Sequence, residues 1–169
     1  MFLLIRTLTY GSLFVAFLLV FLPARVLEWS GVMRPNAIGP LQVVGALVVL
    51  AGAVLAAACV VAFAWLGRGT PAPFDPPRRL VVSGPYRWIR NPMYLGATLA
   101  LLGAALFYQS LPLAGYTLLF IAVAHLFVRL YEEPTLARKF GREYVEYRSR
   151  VGRWLPRGNR RRHRDGATC

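Results

Sequence analysis

The sequence predicts an all-α, polytopic membrane protein of about four transmembrane helices with a cytoplasmic amphipathic helix near its C-terminal end, and three observations predict it. Hydrophobic residues make up 57% of the 169-residue chain, and they fall in long uncharged blocks of the length that spans a bilayer's roughly 30 Å hydrocarbon core. Prolines and arginines gather between these blocks. The net charge of +13 is concentrated at one end, with twelve of the twenty basic residues at or beyond Arg129. A nucleic-acid-binding domain would carry such charge over a folded surface. Here it reads as a cytoplasmic tail lying against anionic lipid, and nucleic acid is not an expected partner.

The first block, Leu8 to Leu22, follows the single charge Arg6. It has the length of a secretory leader, but no small-x-small cleavage pattern surrounds Pro23-Ala24-Arg25, so it is assigned as a membrane helix with Arg6 snorkelling to the near interface. Residues 24 to 40 are expected to form a polar connection carrying Arg25, Glu28 and Arg34, with three prolines if Pro23 is counted among them. Leu41 to Leu66 contains no charge and is the most secure span. The prolines between residues 67 and 83 forbid a continuous helix and favour extended backbone. Asn91 is expected to cap a third helix and Pro92 to occupy its first turn, the helix running from about Met93 to Tyr108. Gln109 to Pro112 makes a tight turn, and Leu113 to Tyr131 returns as the fourth helix, which Pro134 ends or bends. Arg68, Arg78, Arg79, Arg87 and Arg90 and the basic tail all favour the cytoplasm, so both termini of a multi-pass chain are expected there, the membrane being the inner one if the source is bacterial.

Beyond Pro134, Leu136, Phe140, Tyr144, Tyr147 and Val151 recur at intervals of four, four, three and four, the pattern of one apolar helix face. Arg138, Lys139, Arg142, Glu143, Glu146, Arg148 and Arg150 lie largely off it, as suits a helix at the membrane surface. Residues 1–156 are assigned to a single transmembrane domain and 157–169 to a basic tail that binds anionic lipid. Cys59, Cys169 and two histidines predict neither a disulfide nor a zinc site.

Two polar segments interrupt the apolar pattern. In the first, His125, Arg129, Glu132 and Glu133 share one face of the fourth helix at α-helical spacing. Ionisable groups on a membrane helix are costly unless they face a protein interior or a polar cavity. The plainest role for His125 is a hydrogen bond to a neighbouring helix; Arg129 is either an ordinary snorkelling residue or, with Glu133, a candidate catalytic residue. The adjacent glutamates, at an interface rich in anionic lipid, require a cationic partner. The second segment is Gly84 to Gly96, whose prolines and aromatics lead into the third helix. The hairpin of the third and fourth helices brings the two segments to the same side. Tyrosines, a helix N-terminus and carboxylates suit a zwitterionic, aromatic ligand.

The segment Leu80-Val81-Val82-Ser83-Gly84-Pro85-Tyr86-Arg87-Trp88-Ile89-Arg90-Asn91-Pro92-Met93-Tyr94-Leu95-Gly96, with Glu132-Glu133, Leu136, Phe140-Gly141, Tyr144, Tyr147, Val151 and Pro156, resembles the isoprenylcysteine carboxyl methyltransferase family. That family belongs to a wider set of membrane methyltransferases that includes phospholipid N-methyltransferases. The resemblance covers about residues 78–156, the expected cofactor-binding core. It implies S-adenosylmethionine as methyl donor, held by Arg78, Arg79, Leu80, Val81, Tyr86, the Asn91-Pro92-Met93-Tyr94 element and Glu132. Asn91 stands where eukaryotic members carry histidine, which leaves hydrogen bonding but no proton shuttle. Arg129 lies one residue from the family's substrate-carboxylate arginine, and Val128 occupies that position. The acceptor implied is lipid-like or a small hydrophobic molecule. An amine or thiol acceptor must lose a proton, for which Glu133 or a tyrosine is the candidate base. The reading from a different class is a scaffold or channel subunit in which the polar stripe only packs helices.

Overall fold

The structure is a computed structural model that describes residues 13, 15–31, 38–62 and 80–157. Those residues are almost entirely helical, and no strand longer than an isolated bridge is present among them. A π-helical turn, Phe17–Phe21, runs directly into α1, Leu22–Trp29. Next come α2, Pro40–Ala62, a 3-10 turn, Gly84–Arg87, and α3, Pro92–Tyr108. Gln109 in the left-handed conformation reverses the chain, and the Ser110 hydroxyl accepts from the Leu113 N–H to start α4, Leu111–Phe127. A second π turn, Val128–Glu132, carries α4 without a break into α5, Glu133–Arg150.

Pro134, expected to end or bend its helix, lies inside one, and so does Pro23. Pro23 and Pro134 each follow a π turn by two residues, and in each case the residue before the proline donates its N–H to the first residue of the turn, Leu22 to Phe17 and Glu133 to Val128. A proline within an α-helix lacks a donor and its ring clashes with the carbonyl four residues back. Widening the preceding turn moves that carbonyl, so the helix continues. The polar connection expected from residue 24 therefore begins as helix, with Arg25 and Glu28 paired on its exposed side. The break in the last helix comes later, at Gly141, whose φ of +52° a side chain rarely tolerates.

Where four spans are expected, two helical stretches are long and apolar enough to cross a membrane: Pro40–Ala62, and the continuous helix that starts at Leu111. At 17 residues, α3 is apolar but at the lower limit. Arg6, residues 63–66 of the second block, the loop through Arg78 and Arg79, and the tail beyond Arg157 lie outside the described residues. The helices present apolar side chains outward, among them Leu47, Leu50, Val54, Leu118 and Leu119.

What brings the helices together is missing side chains. Between α2 and α3, a Cβ on Gly52 would stand 2.5 Å from the Gly96 carbonyl oxygen, and one on Gly45 2.7 Å from that of Gly103. The pairs run in opposite order along the chain, so the helices are antiparallel and cross backbone to backbone at two levels. Apolar helices gain little by exchanging lipid for one another, and small residues supply the close contact that holds them. Cys59, seven residues beyond Gly52, is fully buried, and with Ala62, Val81 and Tyr86 it closes the end of the crossing from which the polar segment emerges. The first helix is tied on by the Tyr116 hydroxyl, which donates to the Leu18 carbonyl at 2.7 Å.

Candidate functional site

Residues 80–91 thread between two packed clusters. Extended backbone sends successive side chains to opposite faces, so Leu80 packs on the Tyr144, Tyr147 and Val151 cluster while Val81 packs beside Cys59 and Tyr86. Gly84, at φ +61°, then opens the 3-10 turn. Tyr86 is buried, and the Tyr147 hydroxyl donates to its carbonyl at 2.7 Å. Burial pushes the Tyr86 phenol well above its ordinary value, and the adjacent Cys59 adds to the shift. Tyr86 is therefore held as a neutral packing and hydrogen-bonding group.

Residues 151–157 return to this segment as a strap. Ile89 and Gly152 form a parallel bridge, and the Arg90 N–H donates to the Gly152 carbonyl at 2.9 Å. Asn91, expected as a helix cap, makes no cap hydrogen bond, and its side-chain amide donates to the Arg153 carbonyl at 3.2 Å. The strap leaves a carbonyl facing α3 that has to be satisfied, and this tertiary demand overrides the local capping preference. Pro92 holds the first turn of α3, as expected, and is fully buried. Met93 packs against the Cys59 cluster.

Side-chain charge closes the strap. Arg153 makes a two-pronged contact with Glu133, Nε to Oε1 at 2.7 Å and Nη2 to Oε2 at 2.8 Å. Arg90 reaches the same carboxylate at 2.9 Å, and both of these side chains are only 8% exposed. The Glu133 hydrogen bond in turn raises the Arg153 guanidinium above its ordinary value. Arg90 also donates to the Tyr144 hydroxyl at 3.3 Å, while its buried Nε has no partner among the described residues. These two arginines are the cationic partner that the paired glutamates require.

Glu132 is treated differently. The Tyr94 hydroxyl donates to its Oε2 at 3.1 Å, and no cation pairs with it among the described residues. Beside Tyr94 stands Trp154 of the strap, edge-on with ring centroids 6.4 Å apart. The Trp154 indole N–H donates to His125 Nδ1 at 3.1 Å, so His125 binds the strap and not a neighbouring helix. Arg129 points outward and is exposed. The common face read from α-helical spacing does not survive the π turn, which adds a residue to the local repeat and buries Val128 instead.

The structure thus brings Tyr86, Asn91, Pro92, Met93, Tyr94, Glu132 and Glu133 to one end of the helices with Leu80 and Val81 behind them, and leaves Arg129 outside. Arg78 and Arg79 lie outside the described residues. Arg90, Arg153 and Trp154 are additions to the set expected from sequence. The signal for the arginines was the adjacent glutamates' need for a cation. For Trp154 it was an aromatic residue between two fixed points of the strap, Val151 and Pro156.

A family model for phospholipid methyltransferases matches residues 41–143, more than half of the chain. The match begins in α2, well before the motif-based resemblance, and includes Tyr94, Glu132 and Glu133. No curated protein and no solved structure matches the chain.

Proposed function

We propose a donor, a pocket and a topology for this chain, which belongs to the phospholipid methyltransferase family and is a membrane methyltransferase. The donor is S-adenosylmethionine, which supplies a methyl group on a cationic sulfur. The observation that carries this reading is the contrast between neighbouring carboxylates: among the described residues Glu133 is neutralised by two arginines, whereas Glu132 is met by the Tyr94 hydroxyl and no cation. A carboxylate removed from bulk water without a counter-charge is costly. A cationic ligand beside Glu132 relieves that cost, and the Nε donor of Arg90, which has no partner among the described residues, offers one to an acceptor on the same ligand. Tyr86, Asn91, Pro92, Met93, Leu80 and Val81 form the pocket's floor through backbone and packing, and Arg78 and Arg79 precede it in the chain.

Glu133 ties the strap in place in this reading, because a carboxylate held by two guanidinium groups is a poor proton acceptor. The chain's contribution to methyl transfer is positioning and exclusion of water, which suits a donor that is already a strong electrophile. The acceptor is lipid-like and enters from the bilayer beside α3 and α4; the amine of a phospholipid head group is the first to test. Carboxyl O-methylation and thiol S-methylation are the alternatives. The chain crosses the membrane four times with both termini cytoplasmic, residues 1–156 form the enzyme with 78–156 as its cofactor-binding core, and the tail from 157 meets anionic lipid. The loop arginines and the basic end support this orientation.

The test is equilibrium binding of S-adenosylmethionine to the purified protein in lipid nanodiscs, paired with transfer of a radiolabelled methyl group into membrane lipids. Glu132→Gln is expected to weaken donor binding at least about tenfold, the loss of roughly one charge-assisted contact, with the melting temperature unchanged. Equal affinity in wild type and variant sinks the pocket assignment.

A further inference from the structure

We propose that Trp154 senses the positive charge of the bound methyl donor, forming with Tyr94 and Glu132 a box that prefers the cationic donor to its neutral, demethylated product. The inference rests on the donor reading above and adds a residue that nothing in the family match covers, since the match ends at residue 143.

Three observations place Trp154 in this role. Its position on the strap is fixed from both sides of the site: Arg153 is clamped to Glu133, the Gly152 and Arg153 carbonyls accept from Arg90 and Asn91, and Val151 is buried. Its polar edge is already used. The indole N–H donates to His125, and the two rings lie within 27° of parallel with centroids 6.2 Å apart. A buried indole donor normally finds such a partner, and once it has one, what Trp154 offers the pocket is its π system. Finally, its neighbours across the site are Tyr94, edge-on at 76°, and through the Tyr94 hydroxyl Glu132, which has no cationic partner among the described residues.

Aromatic faces and a carboxylate recognise a cation even when that cation has no N–H to donate. A sulfonium is such a cation, since it carries charge but no hydrogen-bond donor. The thioether left after transfer is neutral and loses this attraction while keeping every other contact of the nucleoside and amino-acid parts. Among the described residues the nearby cations do not fill the place: Arg90 and Arg153 are engaged by Glu133, and Arg129 faces away. The box therefore favours release of product over donor, and the strap that carries Trp154 sets that preference. His125 is a positioning residue here, acting on the donor only through the indole.

The experiment measures the dissociation constants of S-adenosylmethionine and S-adenosylhomocysteine for the full-length protein in nanodiscs by equilibrium dialysis, without turnover. In Trp154→Ala the donor is expected to bind about two- to thirty-fold more weakly, the range of a cation over an aromatic face, while affinity for the thioether changes less than about twofold. Trp154→Phe keeps a ring face and is expected to retain most of the preference, which guards against a folding defect in the alanine variant. A merely structural role for Trp154 lowers both affinities in proportion. If wild type binds both ligands and their ratio is the same in Trp154→Ala, this inference is overturned while the donor reading stands. If wild type binds neither ligand, both fall.

Discussion

The crossing of α2 and α3 and the polar end of the same helices solve one problem by opposite means. At the crossing, Gly45, Gly52, Gly96 and Gly103 let two backbones touch, and nothing but close contact holds them. At the polar end, Arg90, Glu133 and Arg153 come from three separate segments and are held by charge, Arg90 and Glu133 buried and Arg153 half-buried. The first arrangement tolerates no addition and the second no subtraction. A buried ion pair adds little over a well-packed apolar contact, yet removing one partner strands the others.

The largest expected effect follows from that asymmetry. Glu133→Gln leaves two arginines facing each other without an anion, and the cost of breaking a buried pair in this way is about 3–5 kcal/mol. Thermal unfolding in detergent should show a large fall in melting temperature. Proteolysis should show early cleavage in the strap, since residues 151–157 lose their charged anchor. A variant as stable as wild type would mean that the strap is held by its hydrogen bonds to Arg90, Asn91 and His125 and by the packing of Tyr144, Tyr147 and Val151.

A smaller loss is expected at the crossing. Gly52→Ala places a carbon 2.5 Å from the Gly96 carbonyl oxygen, a backbone atom that cannot rotate away, and overpacking of this kind costs about 1–3 kcal/mol. Gly115 in α4 is the control: a Cβ there meets nothing within 4 Å, so Gly115→Ala is expected to be neutral or to stabilise by up to about 1 kcal/mol through helix propensity. If both glycines respond alike in a detergent unfolding series, close backbone contact is not what holds α2 to α3.

What was readable from sequence divides along the same line. Residues 41–62, the turn at Gln109 and Ser110, and the face of Tyr144, Tyr147 and Val151 follow from hydropathy and period, because local chemistry decides them. The glycine crossing carries its own signal, a seven-residue spacing in both helices, but hydropathy treats glycine as neutral and passes over it. That the helix continues through Pro134 was not readable, because the rule that proline ends a helix assumes an α-helical register, and no residue type announces a π turn. Asn91 and His125 were readable as polar groups in need of partners. Their partners, Arg153 and Trp154, lie 62 and 29 residues away on a strap with no periodic signature. Glu132 and Glu133 were identifiable as a pair, but only the fold separates their surroundings.

Arg129 gives the smallest expected effect and the sharpest check on that separation. By α-helical counting it shares a face with Glu133, and by resemblance it stands one place from an arginine that holds a substrate carboxylate. The π turn at Val128–Glu132 instead turns Val128 inward and leaves Arg129 exposed, with no ion pair among the described residues. Arg129→Ala is therefore expected to change donor affinity and methyl transfer by less than about twofold, and stability by no more than about 0.5 kcal/mol, the range of surface substitutions away from special features. A loss of about ten-fold or more in transfer, with donor affinity unchanged, would place Arg129 at the acceptor. The register shift would then orient the lipid-facing side of the site as well as the two glutamates behind it.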